Sequence, residues 1–319
     1  MTIKIIVTEN YESMSQVAAQ IVKEKIIQTL KNQKECVLGL ATGNSPTGLY
    51  KNLAKMANAG EFDCKLIRSF NLDEYIGLPG ENCQQRTIHP ESYSYFMIQE
   101  FFSLLENKFI ETSVPYGCLI DQEKFIHELE TNREDWAELG KDAGKSIVIK
   151  DNPSSEYLSW IRQKVQEEYT RKIENVGGID LQIIGVGGRG HVAFHESGIP
   201  FEDSNVLLVK LEDNTVSNAV LDGHFPSVKD SPRYAVSMGA ELVYKAKTVI
   251  LLANGERKVG AVAESLLSDP TPDVPISYGQ IYSQRGGELI YVLDKIAGRE
   301  LLAKKETLEQ KGMKIETFN

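Results

Sequence analysis

The chain has 319 residues, of which 41% are hydrophobic and 25% charged, and its net charge is −10. That length holds one large α/β domain or two small ones, and the composition is that of an ordinary globular protein with a substantial core. The acidic balance disfavours nucleic acid and anionic membrane as general partners, yet a local nest of backbone N–H groups can still bind an anionic small molecule.

The N-terminal stretch "MTIKIIVTEN" is apolar only briefly and is broken by Lys4. It is too short for a signal-peptide core, and no run approaches ~18 apolar residues, so a cytoplasmic protein is expected. Cys36, Cys64, Cys83 and Cys118 form no C-x-x-C pair. Reduced thiols and no structural metal site are expected.

Residues 3–9 ("IKIIVTE") read as a strand. Residues 13–33 read as an amphipathic helix, with Val17, Ala18, Ile21, Ile26 and Leu30 recurring at three or four. "CVLGLAT" (36–42) is a continuous apolar run, hence a buried strand. It ends in "TGNSPTGLY", where Pro46 stands in the first turn of a helix. "LIRSFNL" (66–72) is a further strand, ending at Asp73, and residues 90–105 form a helix. "DLQIIGVG" is a buried strand. "VLLVKL", "AVSMGAELVYKA", "KTVILLAN", "GERKVGAVAESLL" and "GELIYVLD" continue the alternation.

Strands alternating with helices predict an α/β fold, a doubly wound and mostly parallel sheet with helices on both faces, Rossmann-like. The whole chain, 1–319, reads as a single domain. Residues 118–157 are charged and weakly periodic, and read as an insertion or lid, with a helix over 122–139 and a loop over 140–155.

In such sheets ligands bind beyond the carboxyl ends of strands. Three polar, glycine-bearing clusters fall there. The first is Thr42, Gly43, Asn44 and Ser45, a strand-to-helix layout suited to a monophosphate and lacking the lysine of a nucleotide-binding P-loop. The second is "SFNLDEY", where Asp73 can carry a proton between neighbouring carbons of a substrate. The third is "GVGGRGHVAFHESG". Gly185, Gly187 and Gly190 spell G-x-G-x-x-G, but no helical stripe follows Gly190, so a nicotinamide site is disfavoured. The loop reads instead as a reactive one, with His191 as proton carrier and Glu196 orienting it. Gly187, Gly188 and Arg189 are read as substrate-facing.

Taken together, "LGLATGNSPTGLY", "SFNLDEYIGLP" with "HPESYSYFM", "GGIDLQIIGVGGRGHVAFHESG" and "SPRYAVSMG" resemble the glucosamine-6-phosphate deaminase (isomerase) family, whose fold is shared with 6-phosphogluconolactonases. The resemblance runs in chain order from about Thr42 to the end, outside 118–157. It implies that Thr42, Gly43, Asn44 and Ser45 cradle a sugar phosphate. It implies that Asp73 moves a proton between C2 and C1, that His191 opens the ring, and that Glu196 supports His191. Arg233 stands where it implies a phosphate-binding lysine. The implied reaction is aldose–ketose isomerisation with loss of ammonia from an amino-sugar 6-phosphate, with no cofactor. Homo-oligomerisation is compatible with this reading.

The chain departs from the family pattern at several positions. Arg189 stands where the family has Asp or Asn, and His195-Glu196-Ser197 replaces Asn-Glu-Pro. Gly223 and His224 occupy the place of a second phosphate arginine. Two other readings share the fold: a sugar-phosphate lactonase using His191 to activate water, and a non-catalytic sugar-phosphate-binding protein.

Overall fold

The computed structural model describes residues 2–318. Its strands in chain order are β1 (Thr2–Thr8), β2 (Cys36–Leu40), β3 (Ile67–Asn71), β4 (Asp73–Ile76), β5 (Glu111–Ser113), β6 (Trp136–Leu139) and β7 (Lys145–Ile149). They continue with β8 (Leu181–Ile184), β9 (Val206–Lys210), β10 (Tyr234–Met238), β11 (Thr248–Ala253), β12 (Glu288–Asp294) and β13 (Lys314–Phe318). The larger sheet runs β13-β1-β12-β11-β8-β2-β3-β5, and all its neighbours pair in parallel.

Alternation along the strands feeds two cores. Ile5, Val7, Leu251 and Leu293 enter one, while Ile6, Leu252 and Val292 enter the other. The central strands β2, β8 and β11 are buried along their length, which is why they read as apolar runs and not as alternating ones. Helices Tyr11–Asn32 and Asn44–Asn58 cover the second core with Ala18, Val22, Ile26, Leu49 and Leu53. Each large aliphatic side chain so buried contributes about 1.5–3 kcal/mol. Asn10 caps the first of these helices by accepting the Ser13 N–H at 3.0 Å.

The order of the sheet fixes where a ligand can sit. From β2 the chain moves outward to β3 and β5, and from β8 it moves the other way to β11 and β12. The reversal falls between β2 and β8, and that ladder pairs only Leu38 with Leu181 and Gly39 with Gln182. Beyond those pairs the two strand ends are free to diverge, which leaves a crevice at the topological switch point.

The second sheet runs β4-β10-β9-β7-β6 and is antiparallel throughout. It corrects the reading of 118–157. The expected long helix stops at Thr131, and the expected loop contains β7, which lies between β6 and β9. Phe125, Leu129, Trp136, Ile147 and Ile149 from this stretch are buried in the main core. "KSIVIK" alternates, with Ile147 and Ile149 buried and Val148 exposed, a half-buried strand pattern hidden among charges. The turn between β6 and β7, residues 140–144, packs against Glu196 and Gly198.

Candidate active site

A cleft of about 730 Å³ opens at the switch point. The Thr42 loop, Asp73 and the glycine loop with His191 all line it.

The first wall is built for an anion. Gly43 adopts φ 98° and turns the chain from β2 into the helix Asn44–Asn58. A side chain there would be strained, so glycine is required by the backbone. Thr42, Gly43, Asn44 and Ser45 therefore face the cleft at a helix N-terminus, where backbone N–H groups and the helix dipole favour negative charge. The Ser45 hydroxyl donates to Asn254 Oδ1 at 2.7 Å and ties this loop to the one after β11. That second loop contributes Asn254, Gly255, Arg257 and Lys258 to the lining. The Arg257 guanidinium is engaged with Asp222 at 2.6 Å. The Lys258 ammonium has no hydrogen-bond or ion-pair partner among the described residues. Burial, and then the Arg257 charge, hold its pKa below the ordinary lysine value.

Asp73 stands where the chain crosses between the sheets. The Leu72 N–H donates to Leu40 O at 3.1 Å in one sheet, and Leu72 O accepts the Met238 N–H at 2.7 Å in the other. Asp73 then opens β4, paired with Ser237. Its carboxyl is buried, lines the cleft, and leaves Oδ1 without a partner among the described residues. Burial, reinforced by Glu74, raises its pKa well above the usual carboxylate range. Glu74 projects to the opposite face of the strand. It accepts the N–H groups of Tyr75, Tyr93 and Ser94, each at 3.0 Å, and so anchors the N-terminus of the helix Tyr93–Glu100. Tyr93 stacks on Phe194, and Tyr75 packs against both, giving the cleft an aromatic side.

The glycine loop after β8 is a closed turn. Gly187 N–H donates to His191 O at 3.0 Å, and Gly190 N–H to Gly187 O at 3.1 Å. No helix follows Gly190. The role of Gly187 is steric, because a Cβ there would lie 1.8 Å from His191 Nε2. The imidazole is seated on the bare Cα, its Nδ1 3.4 Å from Glu196 Oε2. That is longer than a formed hydrogen bond, within the range that catalytic pairs close when substrate binds. Glu196 is fully buried behind it. Its carboxylate accepts the Glu212 N–H at 3.3 Å and the Thr215 hydroxyl at 3.1 Å, at the N-terminus of the helix Asp213–Leu221.

The neighbouring His195 is structural. Its Nδ1 accepts the Ala240 N–H at 3.0 Å, so Nε2 carries the proton and donates to Ile199 O at 3.0 Å. Burial pushes its pKa down to about 4, and the ring is neutral.

Two sequence-predicted binding residues stand elsewhere. Arg233 is not part of the cleft wall; it pairs with the exposed Asp213 at 2.8 Å on the surface. Arg189 is likewise absent from the wall, because its guanidinium turns to Asp142 at 2.7 Å and Glu212 at 2.9 Å. Gly187 and Gly188 do line the cleft. Sequence reasoning missed Lys258, the aromatic side, Asn214 and Asn218, and noted His224 only as a departure from the family pattern, though it lines the cleft. "NGERK" carried a signal, being a glycine-bearing polar cluster at the carboxyl end of β11, beside β8.

The chain is similar to curated proteins named glucosamine-6-phosphate deaminase. It is 34% identical to that of Thermoanaerobacter sp. (strain X514) over 272 residues, 85% of this chain and 86% of the relative. It is 32% identical to that of Clostridium perfringens (strain SM101 / Type A) over 298 residues, 93% and 99% of the two chains. It is 35% identical to glucosamine-6-phosphate deaminase 2 of Bacillus subtilis (strain 168), over 86% of this chain and 89% of the relative. A solved structure of a monomeric glucosamine-6-phosphate deaminase superposes with a TM-score of 0.70 at 26% identity, covering 93% of this chain and 99% of that one. The 6-phosphogluconolactonase of Leishmania guyanensis shares the fold, with a TM-score of 0.58 at 19% identity over 93% and 98% of the two chains. No protein-family model matches the chain.

Proposed function

The chain belongs to the glucosamine-6-phosphate deaminase family, and on that premise we propose how its cleft performs the reaction. The protein is an enzyme that converts an amino-sugar 6-phosphate, of the glucosamine-6-phosphate type, to the ketose 6-phosphate and ammonia.

The phosphate lies between Thr42, Gly43, Asn44 and Ser45 on one side and Lys258 on the other. A helix N-terminus and one otherwise unpaired cation supply its counter-charge. His191, oriented by Glu196, transfers the proton that opens the ring. Asp73, as carboxylate, removes the C2 proton of the open form and delivers it to C1. The C2 amine leaves as ammonia and one water supplies the ketone oxygen, so the atoms balance. A buried acid of raised pKa suits this two-way role, because it gives the proton back as readily as it takes it.

The observation that carries this reading is Asp73, buried at the junction of the sheets with an unpartnered oxygen and facing the same cleft as His191. Ammonia and ketose phosphate should be released in equal amounts from at least one 2-amino-2-deoxyhexose 6-phosphate, and Asp73→Asn should abolish both. No turnover across the epimers would overturn the proposal. Lactone hydrolysis that survives Asp73→Asn would replace it with the lactonase reading.

A further inference from the structure

Arg189 joins two acids of different standing. Asp142, in the turn between β6 and β7, is well exposed, whereas Glu212 is 3% exposed and lies beside Glu196. An exposed ion pair contributes little, but a buried carboxylate without a cation is costly. The weight therefore falls on the Arg189–Glu212 contact. Burial, and then the Glu196 charge, push the Glu212 pKa up, and Arg189 opposes that shift.

Glu212 is also where the helix Asp213–Leu221 begins. Its own N–H holds Glu196 Oε1, and Thr215, one turn on, holds Oε2. The same Oε2 faces His191 Nδ1. The turn between β6 and β7 closes the arrangement from the other side. A Cβ on Gly144 would lie 2.5 Å from Glu196 Cβ, and the Lys141 N–H donates to Gly198 O at 3.1 Å. Helix, turn and loop thus meet on Glu196, and Arg189 is the side chain that ties all three. The charged and titratable groups around it are Asp142, Glu196, Glu212 and His191, with Lys145 beyond Asp142.

We propose that Arg189 and Glu212 are positioning residues for proton transfer. Their ion pair seats the helix N-terminus on Glu196, and through Glu196 it fixes the ring of His191. The proposal rests on the roles given above to His191 and Glu196. It answers what a cation does at position 189: it acts from behind the loop and does not touch substrate.

The test is steady-state kinetics of Arg189→Met, Glu212→Gln and the double variant, with Arg189→Lys as the conservative change and thermal melting of each. We expect kcat to fall about 10- to 100-fold in the single variants, as for a small misplacement of a reacting group. KM and inhibition by an acyclic amino-hexitol 6-phosphate should stay within about threefold, since the phosphate walls are separate. The double variant should be no worse than the poorer single, and Arg189→Lys should recover most of kcat. Wild-type kcat in Glu212→Gln, or additive losses in the double variant, would overturn the proposal. So would losses in kcat and KM that merely track the melting temperature. His191→Asn separates the two levels. If it retains kcat, the site reading has failed; if it loses kcat while Glu212→Gln does not, only the positioning role has failed. Should Arg189→Met not fold, Glu212→Gln and Arg189→Lys still decide.

Discussion

Gly187→Ala tests the central steric claim with a single methyl group. The new Cβ would lie 1.8 Å from His191 Nε2 and 2.0 Å from Cδ2, where ordinary contact begins near 3.4 Å. The imidazole must therefore give way by about 1.6 Å, since the repulsive wall cannot absorb the overlap. Gly187 is not at positive φ, so alanine meets no backbone penalty there. Overpacking of this kind costs about 1–3 kcal/mol, a fall of a few degrees in Tm for a chain of this size. The catalytic loss is larger, because a displacement of about 1 Å at a reacting group removes on the order of 100-fold in rate. We expect kcat for ammonia release to drop about 100-fold or more while the protein stays folded. Gly260→Ala is the control: it lies on the exposed face of the helix Val259–Leu267, outside the cleft wall, a Cβ there meets nothing within 4 Å, and kcat should change little. Wild-type kcat in Gly187→Ala, or equal losses in both variants, would refute the claim that Gly187 exists to seat His191.

Asp73→Asn should cost at least about 100-fold in kcat, the low end for loss of a general base. It should not lower Tm at pH 7, because a carboxyl whose folded pKa is raised costs stability once pH exceeds its unfolded value. For the same reason kcat/KM of the wild type should rise with pH through the Asp73 titration, above the range of an ordinary aspartate; a flat acid limb would contradict this. Lys258→Ala should raise KM about 10- to 100-fold through loss of a charged contact to phosphate, whereas Arg233→Ala, whose ion pair is exposed, should leave KM unchanged. His195 predicts acid sensitivity. Its pKa falls from 6.5 to about 4 on folding, so its contribution is complete above pH 6.5 and is lost as pH falls toward 4, about 3 kcal/mol in all. Denaturant titrations of the wild type and His195→Gln across that window should differ in slope.

The parallel sheet was legible because buried strands and amphipathic helices leave different periods, and the switch point follows from their order. The antiparallel sheet was not. Asp73 looks like the end of a strand because the chain changes sheets at a single residue, Leu72, with no glycine or proline to mark the crossing. β7 hides because Ile147 and Ile149 are its only buried apolar residues, while charged neighbours dominate the local composition. Both failures share a cause: period and composition describe one element against solvent, whereas these strands are defined by what lies on their far side.

The site shows the same division more sharply. Residues that act through the backbone were found by local grammar, as with Gly43 ahead of its helix. Residues that act through long side chains were not. Arg233 and Lys258 are both cations after a strand end, and the sequence does not say that one reaches Asp213 at the surface while the other faces the cleft. Arg189 makes the point about direction. Its place beside His191 in the chain suggested contact with substrate, yet the acids that claim it come from residues 142 and 212, far apart in sequence. A cation in a reactive loop is drawn to the nearest uncompensated buried carboxylate, and that carboxylate is visible only once the helix at Asp213 is set against the loop. Exchanging the acid expected at position 189 for arginine therefore still leaves a carboxylate near His191. Glu212 brings it in from a different element, and Arg189 is the partner that opposes the rise in its pKa there.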